Sequence, residues 1–421
     1  MFGPTVARDL PGPEWLRSRR TAAAASLEQA SLPTVDEEVW RYSRIGELDL
    51  DLYTPATQRP TSGLPAPVSA LLDSLPPRAG VVVVRDGFVV HSELDDIWAE
   101  RGLWVGPLAA APEGENTVGS VSEQPADVFG RMNVAYGADP VLIRVPAGLL
   151  VDLPIVVIDW VETAGLSVFP RTVTHVGPGG DATVVEWQAG GDVAALAVPV
   201  TDLDVGAEAR LSHVTVQQRG PSTWQIAEQA ARVGKQATFT GYQAALGGDY
   251  ARSRVDCRLA GRGATGKLLA AYFGEGEQML DFRTFQDHVA PDTTSDLLFK
   301  GAVAGTSRSV YTGLIHVAKE ARGTNAFQTN RNVKLSDGAW AESVPNLEIE
   351  NNDVRCSHAS TVGPIDEDQR FYLESRGVPP DAAERLIVAG FFDEILELMP
   401  IPELSLQLEA EIDRRLAPGA V

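Results

Sequence analysis

Cys356 and His358 stand two residues apart, so on a β-strand both side chains would project from the same face. Thiolate and imidazole are ligand types that soft metals and iron–sulfur clusters accept. Two ligands cannot complete such a site. The remainder would have to come from a partner chain, and a site at an interface satisfies that need. For Cys356 a plain alternative stands beside that reading, because a lone cysteine among strands is most often buried packing.

The other cysteine, Cys257, lies in the alternating run from Arg252 to Leu259 and reads as a core strand residue, with sulfur relay as the sharper alternative. Two cysteines this far apart build neither a disulfide framework nor a CxxC metal site within one chain. His288, with Asp281, Asp287, Asp292 and Asp296 around it, could be read as a metal or acid–base cluster. Loop carboxylates and a satisfied histidine at the corners of a β-fold explain the same residues. His91, His175, His213 and His316 sit in β-rich runs without a ligand partner nearby in sequence and read as structural. No GxxxxGK[ST] motif is present: Gly261 to Lys267 comes nearest, is followed by Leu268 and has the wrong spacing. The chain is therefore not expected to hydrolyse ATP. Gly-x-Ser-x-Gly is absent too, which removes support for a hydrolase with a nucleophile elbow.

These residues sit in a chain of 421 residues with 35 Lys and Arg against 57 Asp and Glu, a net charge of −22. Such a chain repels nucleic acid and anionic membrane surfaces, and its only basic cluster, Arg17, Arg19 and Arg20, reads as the solvated face of a helix. No apolar run approaches the roughly 20 residues of a membrane span, and no charged-then-apolar leader pattern opens the chain. The expected location is cytoplasmic.

The elements that would position Cys356 and His358 follow from patterning. Residues 13–30 read as a helix, Leu32 to Ile45 as a short second element, and 51–78 as a Pro- and Ser-rich loop. Val81–Val84 and Phe88–His91 flank Asp86-Gly87, a hairpin signal. From about 140 to 356 short β-branched runs follow one another with no helical pattern between them. Turns ending in alanine recur at Ala182, Ala207, Ala237, Ala264, Ala321 and Ala339, and the long gap before Ala321 suggests a further repeat near Gly305. Such periods point to a solenoid whose rungs bury their inward residues against one another. The fold class expected is mainly β: a right-handed parallel β-helix core flanked by helical regions. Beyond Pro364 the pattern turns helical. Asp366 with Gln369 resembles a capping box, Gly377 a helix-ending glycine, and Pro380 opens a second helix. Leu404, Leu408, Ile412 and Leu416 line a last one. This helical end would either close the solenoid or dock a partner through an exposed stripe. The expected divisions are 1–78 (helical region and loop), 79–139 (connecting segment with the hairpin), 140–363 (β-helix) and 364–421 (helical domain).

The stretch from 281 to 399 carries a dense succession of motifs: Asp281-Phe282-Arg283-Thr284, Ala326-Phe327-Gln328-Thr329-Asn330, Pro345-Asn346-Leu347-Glu348-Ile349, Asp353-Val354-Arg355-Cys356-Ser357-His358, Phe371-Tyr372-Leu373-Glu374-Ser375-Arg376-Gly377 and Phe391-Phe392-Asp393-Glu394. In this order they resemble the SufB/SufD family of iron–sulfur cluster assembly proteins, and Trp40-Arg41-Tyr42 is similar to the family's N-terminal motif. Cys-Ser-His, where SufB-like chains usually carry Cys-Glu-His, points to the SufD branch. Ala359-Ser360 and Asn351-Asn352 depart from the usual Gly-Ala and acidic residues without removing a candidate ligand.

The resemblance implies a non-catalytic scaffold subunit that acts with a SufB-like subunit and a SufC-like ATPase. SufC would grip the C-terminal helices, with Phe371, Tyr372, Arg376, Phe391, Phe392 and Glu394 as docking residues. It also implies a transient iron–sulfur cluster shared with SufB, for which His358 matches the histidine implicated in assembly and Cys356 is the accompanying thiol. The SufB role itself, with Cys356 as principal thiolate, is the alternative within the family. A free β-helix enzyme acting on acidic polysaccharide is the alternative outside it, disfavoured by the missing leader and the net charge. Whether a flavin binds the assembly, and whether the chain forms a homodimer without SufB, stay open.

Overall fold

An alternating strand of about ten residues closed by a tight turn can bury its apolar face only against further strands. The computed structural model, which describes residues 2–61, 63–119, 121 and 125–417, resolves these segments into a parallel β-solenoid of about eight turns flanked by helices. Among the described residues the strands form two sheets, of 12 and 10 strands, which are the walls of the solenoid. The chain alternates between them. Met279–His288, Arg308–Val317 and Trp340–Ile349 stack in the 12-stranded wall, while Thr294–Val303, Thr324–Lys334 and Val354–Pro364 stack in the other. Register is kept from rung to rung: Tyr250 pairs with Met279 and Met279 with Arg308.

Inward side chains from both walls meet in one apolar core. In the later rungs it is filled by an aromatic column in which Tyr272, Phe282, Phe299 and Tyr311 follow one another at ring-centroid distances of 4.7, 5.5 and 5.4 Å. At the corners, successive turns stack so closely that a Cβ on Gly261 would lie 2.0 Å from the Lys235 amide nitrogen. The alanine-marked turns do not all share a corner. Gly305 and Ala339 belong to the corner opposite that of Ala237, Ala264 and Ala321, and the rung hidden in the long gap turns at 289–293. There Pro291 and Asp292 replace the Gly-Ala signal.

The first end of the solenoid is covered. Gly80–Arg85 pairs in parallel with Ile155–Val161 and antiparallel with Phe88–Leu94. Asp86 (φ 46°) and Gly87 (φ 84°) both occupy the left-handed region, as a two-residue hairpin turn requires. Trp104–Pro107 runs antiparallel to Val141–Val145 and ends the other wall. Trp98, from the helix Asp96–Glu100, and Leu103 are buried in the same core and plug this end.

Two expectations are revised. Within the segment read as a loop, Ala66–Ser74 is a helix that buries Val68 and Leu72. Its proline lies in the first turn, where a missing N–H costs nothing, so Pro-rich composition masked it. The C-terminal helices Glu367–Ser375, Pro380–Leu396 and Pro402–Arg415 neither close the solenoid nor expose the leucine stripe. Val388, Phe392, Leu404, Leu408 and Ile412 are buried in one cluster with Trp187, Val214, Tyr242 and Leu269, on the outer face of the 10-stranded wall. The Asp366 carboxylate caps the first helix by accepting from the Asp368 and Gln369 amides, and Gly377 ends it at φ 87°. Among the described residues no helix is long and apolar enough to cross a membrane.

Candidate functional site at the open end of the solenoid

Because the helices pack on the side, the last rung has no successor. Trp340–Ile349 and Val354–Pro364 are the terminal strands of their sheets, and most of the second strand is exposed. Cys356 pairs in register with Ala326, and His358 with Gln328. Ala326 and Gln328 face inward and are buried, so Cys356 and His358 occupy the mouth of the bore, on one face of one strand as their spacing requires. The two differ in setting. Cys356 packs partly buried against the small cluster of Ile315, Val317, Ala321 and Ala326, and burial pushes its thiol up, against an opposing hydrogen bond with the Ala326 backbone. His358 is exposed.

Beneath this pair the bore is polar. Gln328 is buried, and among the described residues neither its amide oxygen nor its nitrogen finds a hydrogen-bond partner. Gln286 donates to the Ser295 hydroxyl at 2.7 Å while its own carbonyl oxygen is unpartnered. A protein interior rarely leaves such groups unsatisfied without a reason. Among the described residues, unpartnered buried groups recur deeper in the solenoid, including Gln229 and His213, and Gln328 lies directly beneath the mouth.

The structure disperses the other candidates. His288 is fully buried, with Nδ1 2.8 Å from the Thr293 hydroxyl and Nε2 2.8 Å from that of Ser295, and burial lowers its pKa to about 4. The carboxylates around it do not converge: Asp281 bonds Tyr250 and Arg252, Asp292 bonds Arg262, and Asp287 faces outward to His316 and Arg258. His288 is a satisfied core histidine. Cys257 is buried in the solenoid interior, where desolvation first and the nearby Asp256 carboxylate second push its thiol up to about 12. Burial and the raised pKa both disfavour its thiolate, the nucleophilic form.

The helical residues divide into two groups. Phe371 and Tyr372 are 72% and 57% exposed, and Arg376 sits with its guanidinium 5.0 Å from the Tyr372 ring. Phe392 is buried against the wall, whereas Phe391 is half-buried. Lys300, itself almost fully buried, donates to the Phe391 carbonyl at 2.7 Å, lies 4.8 Å from that ring's centroid and pairs with Glu394. Between the first two helices and the wall runs a groove of about 930 Å³ lined by Val333, Ile365, Tyr372, Leu386, Ile387 and Phe391, among others.

Comparison with known families decides what this architecture is. The model for "SUF system FeS cluster assembly, SufBD core domain" matches residues 160–391, from the early rungs through most of the second C-terminal helix. The chain belongs to the SufBD family. An iron–sulfur cluster assembly SufBD family protein of Mycobacterium tuberculosis is 35% identical over 366 residues, covering 79% of this chain and 90% of that protein. The iron–sulfur cluster assembly protein SufD of Escherichia coli is 29% identical over 332 residues, 76% and 78% of the two chains. A chloroplast protein of Arabidopsis thaliana, Protein ABCI7, is 27% identical over 407 residues, 92% and 84%.

Within this SufBD chain, sequence reasoning found the pair at the mouth and missed what lies below and beside it. Gln328 and Lys300 lie in short stretches that carry the family resemblance, but nothing in those stretches marks them as buried polar groups, and Gln286 lies in none of them. The signal for all three is polarity at strand positions whose period points inward, or toward a helix, rather than to water.

Proposed function

We propose that this SufBD-family chain is a SufD-type scaffold subunit, working in the cytoplasm as a partner of a SufB-like subunit and a SufC-like ATPase, with no chemistry of its own. One observation carries the reading: the solenoid is closed at its first end and open at its second, and the open end bears Cys356 and His358 at the bore. Two unpaired edge strands are a template for another chain. A SufB-like partner set against them would cover the apolar rim and bring the ligands that one thiol and one imidazole lack. The cluster is cargo, held while it is built and then passed on.

The roles of the two side chains follow from their settings. The exposed imidazole of His358 is free to bind iron arriving at the interface. The half-buried thiol of Cys356 becomes a competent ligand once iron, or a cation on the partner, favours its thiolate. The Cys-Ser-His sequence and the similarity to SufD support the SufD role over the SufB role. The groove beside Tyr372 and Leu386, next to exposed Phe371, suits docking of an ATPase subunit, whose nucleotide-driven movement would be transmitted through the helices to the wall they pack on.

The test is anaerobic reconstitution of the chain with SufB-like and SufC-like partners from the same organism. Co-elution of the three, with a cluster whose visible absorbance is lost in His358→Ala but not in His288→Ala, supports the reading. A chain that elutes alone, or a His358→Ala complex that assembles clusters normally, removes it.

A further inference from the structure

On the outer face of the other wall, three side chains from the last two rungs converge. His316 lies on Arg308–Val317 and pairs in register with Glu348 on Trp340–Ile349. Glu350 follows two residues later on the same face, its backbone tied to Val317 by a 2.9 Å hydrogen bond. One ligand atom from each, an imidazole nitrogen and two carboxylate oxygens, all lie within 4.8 Å of one another. We propose that His316, Glu348 and Glu350 form a binding site for a first-row divalent transition metal ion, distinct from the Cys356 and His358 pair that faces the bore.

Two observations outside the triad point the same way. The imidazole is already oriented: Nδ1 lies 2.7 Å from Oδ1 of Asp287, one rung below, so Nε2 is the nitrogen left for a metal. A carboxylate behind a histidine fixes tautomer and ring orientation in this manner at metal centres. The second is a contrast within one charged column. Asp204 is paired with His175 and Arg232, and Asp287 with Arg258 and His316. Glu348 and Glu350, at the end of that column, face each other with no Lys or Arg in ion-pair distance among the described residues. Two adjacent carboxylates without a counter-cation are the electrostatic complement of a divalent ion. One nitrogen and two oxygen ligands suit Zn²⁺, Fe²⁺ or Mn²⁺ rather than a thiophilic ion. Three protein ligands leave at least one position for water or for a residue across the interface.

Zn²⁺ is the probe. The full chain carrying Cys356→Ser and His358→Ala, which removes the other ligand pair, is titrated by calorimetry and its bound metal counted after gel filtration. The site predicts one equivalent of Zn²⁺, a zinc-dependent rise in the unfolding temperature, and binding at least about tenfold weaker when Glu348→Gln and Glu350→Gln are added. Both glutamates are exposed, so circular dichroism should show the added variant folded. No bound zinc in the starting variant, or equal binding after the glutamates are replaced, overturns the proposal.

Discussion

Gln328 and His358 are register partners on adjacent strands of one wall, yet the first is buried and the second open to solvent. The difference is one missing rung. Replacing His358 therefore removes a side chain that supports no packing. His358→Ala is expected to leave the unfolding temperature and complex assembly unchanged, and to lower the rate of cluster formation by about tenfold or more. Cluster absorbance during anaerobic reconstitution, normalised to complex recovered by gel filtration, checks both halves.

The two thiols should differ in reactivity. With native protein at pH 8, iodoacetamide is expected to modify Cys356 and to spare Cys257, whose burial holds it protonated. In denaturant both react. Peptide mass mapping decides it, and labelling of Cys257 in the native state would contradict the interior described above.

Exposed and buried aromatic residues of the helices should separate docking from folding. Phe371→Asp is expected to weaken binding of the ATPase subunit by at least about 2 kcal/mol if that face is the docking surface, with no change in unfolding temperature. Phe392→Ala, a deletion inside the contact between helix and wall, should cost about 3–5 kcal/mol of stability. Calorimetry of binding, paired with denaturant unfolding, measures each.

Lys300 holds the second C-terminal helix to the wall through Glu394 and the Phe391 carbonyl. Its ammonium is buried whereas Glu394 is half exposed, which discounts the value of the pair. Lys300→Met is expected to loosen the helices by about 1–2 kcal/mol, chiefly through the lost charged hydrogen bond to the carbonyl. Limited proteolysis should then cut near residues 364–380 earlier than in the parent, with the solenoid left intact.

Glu228 supplies a pH dependence. Desolvation first, then the nearby Asp256 and Asp127 carboxylates, raise its pKa to about 7, partly offset by Arg254. A raised folded-state value means that the neutral form favours the fold. That contribution is complete below about pH 4.5 and is lost as pH rises through about 7. Glu228→Gln should thus raise stability at pH 8, by at most about 3 kcal/mol, and change little at pH 4.5. Thermal unfolding at the two pH values checks the sign.

Strand texture, the Asp86-Gly87 hairpin, the helix caps at Asp366 and Gly377 and the shared face of Cys356 and His358 were legible from sequence, because each depends on neighbours within a few residues. What eluded it depends on stacking. The turn at 289–293 carries proline and aspartate where its equivalents carry glycine and alanine, so the repeat was sought near Gly305, at the wrong corner. Helix Ala66–Ser74 hid in a Pro-rich stretch. The leucines from Leu404 to Ile412 announced an apolar stripe but not the surface that covers it. His316 read as structural because Glu348 and Glu350 become its neighbours only through the register of two rungs.

The plugged first end also bears on numbers. A rod with one blunt end and one adhesive end can be joined once, mouth to mouth, and the joined pair presents two blunt ends to the solution. Growth stops there. Under the pairing proposed above, such a chain would join one partner without forming fibres, although every rung inside it uses the same strand-on-strand stacking that builds fibres without limit. Trp98 and the hairpin around Asp86 and Gly87, at the end opposite Cys356 and His358, are the residues that would set that limit.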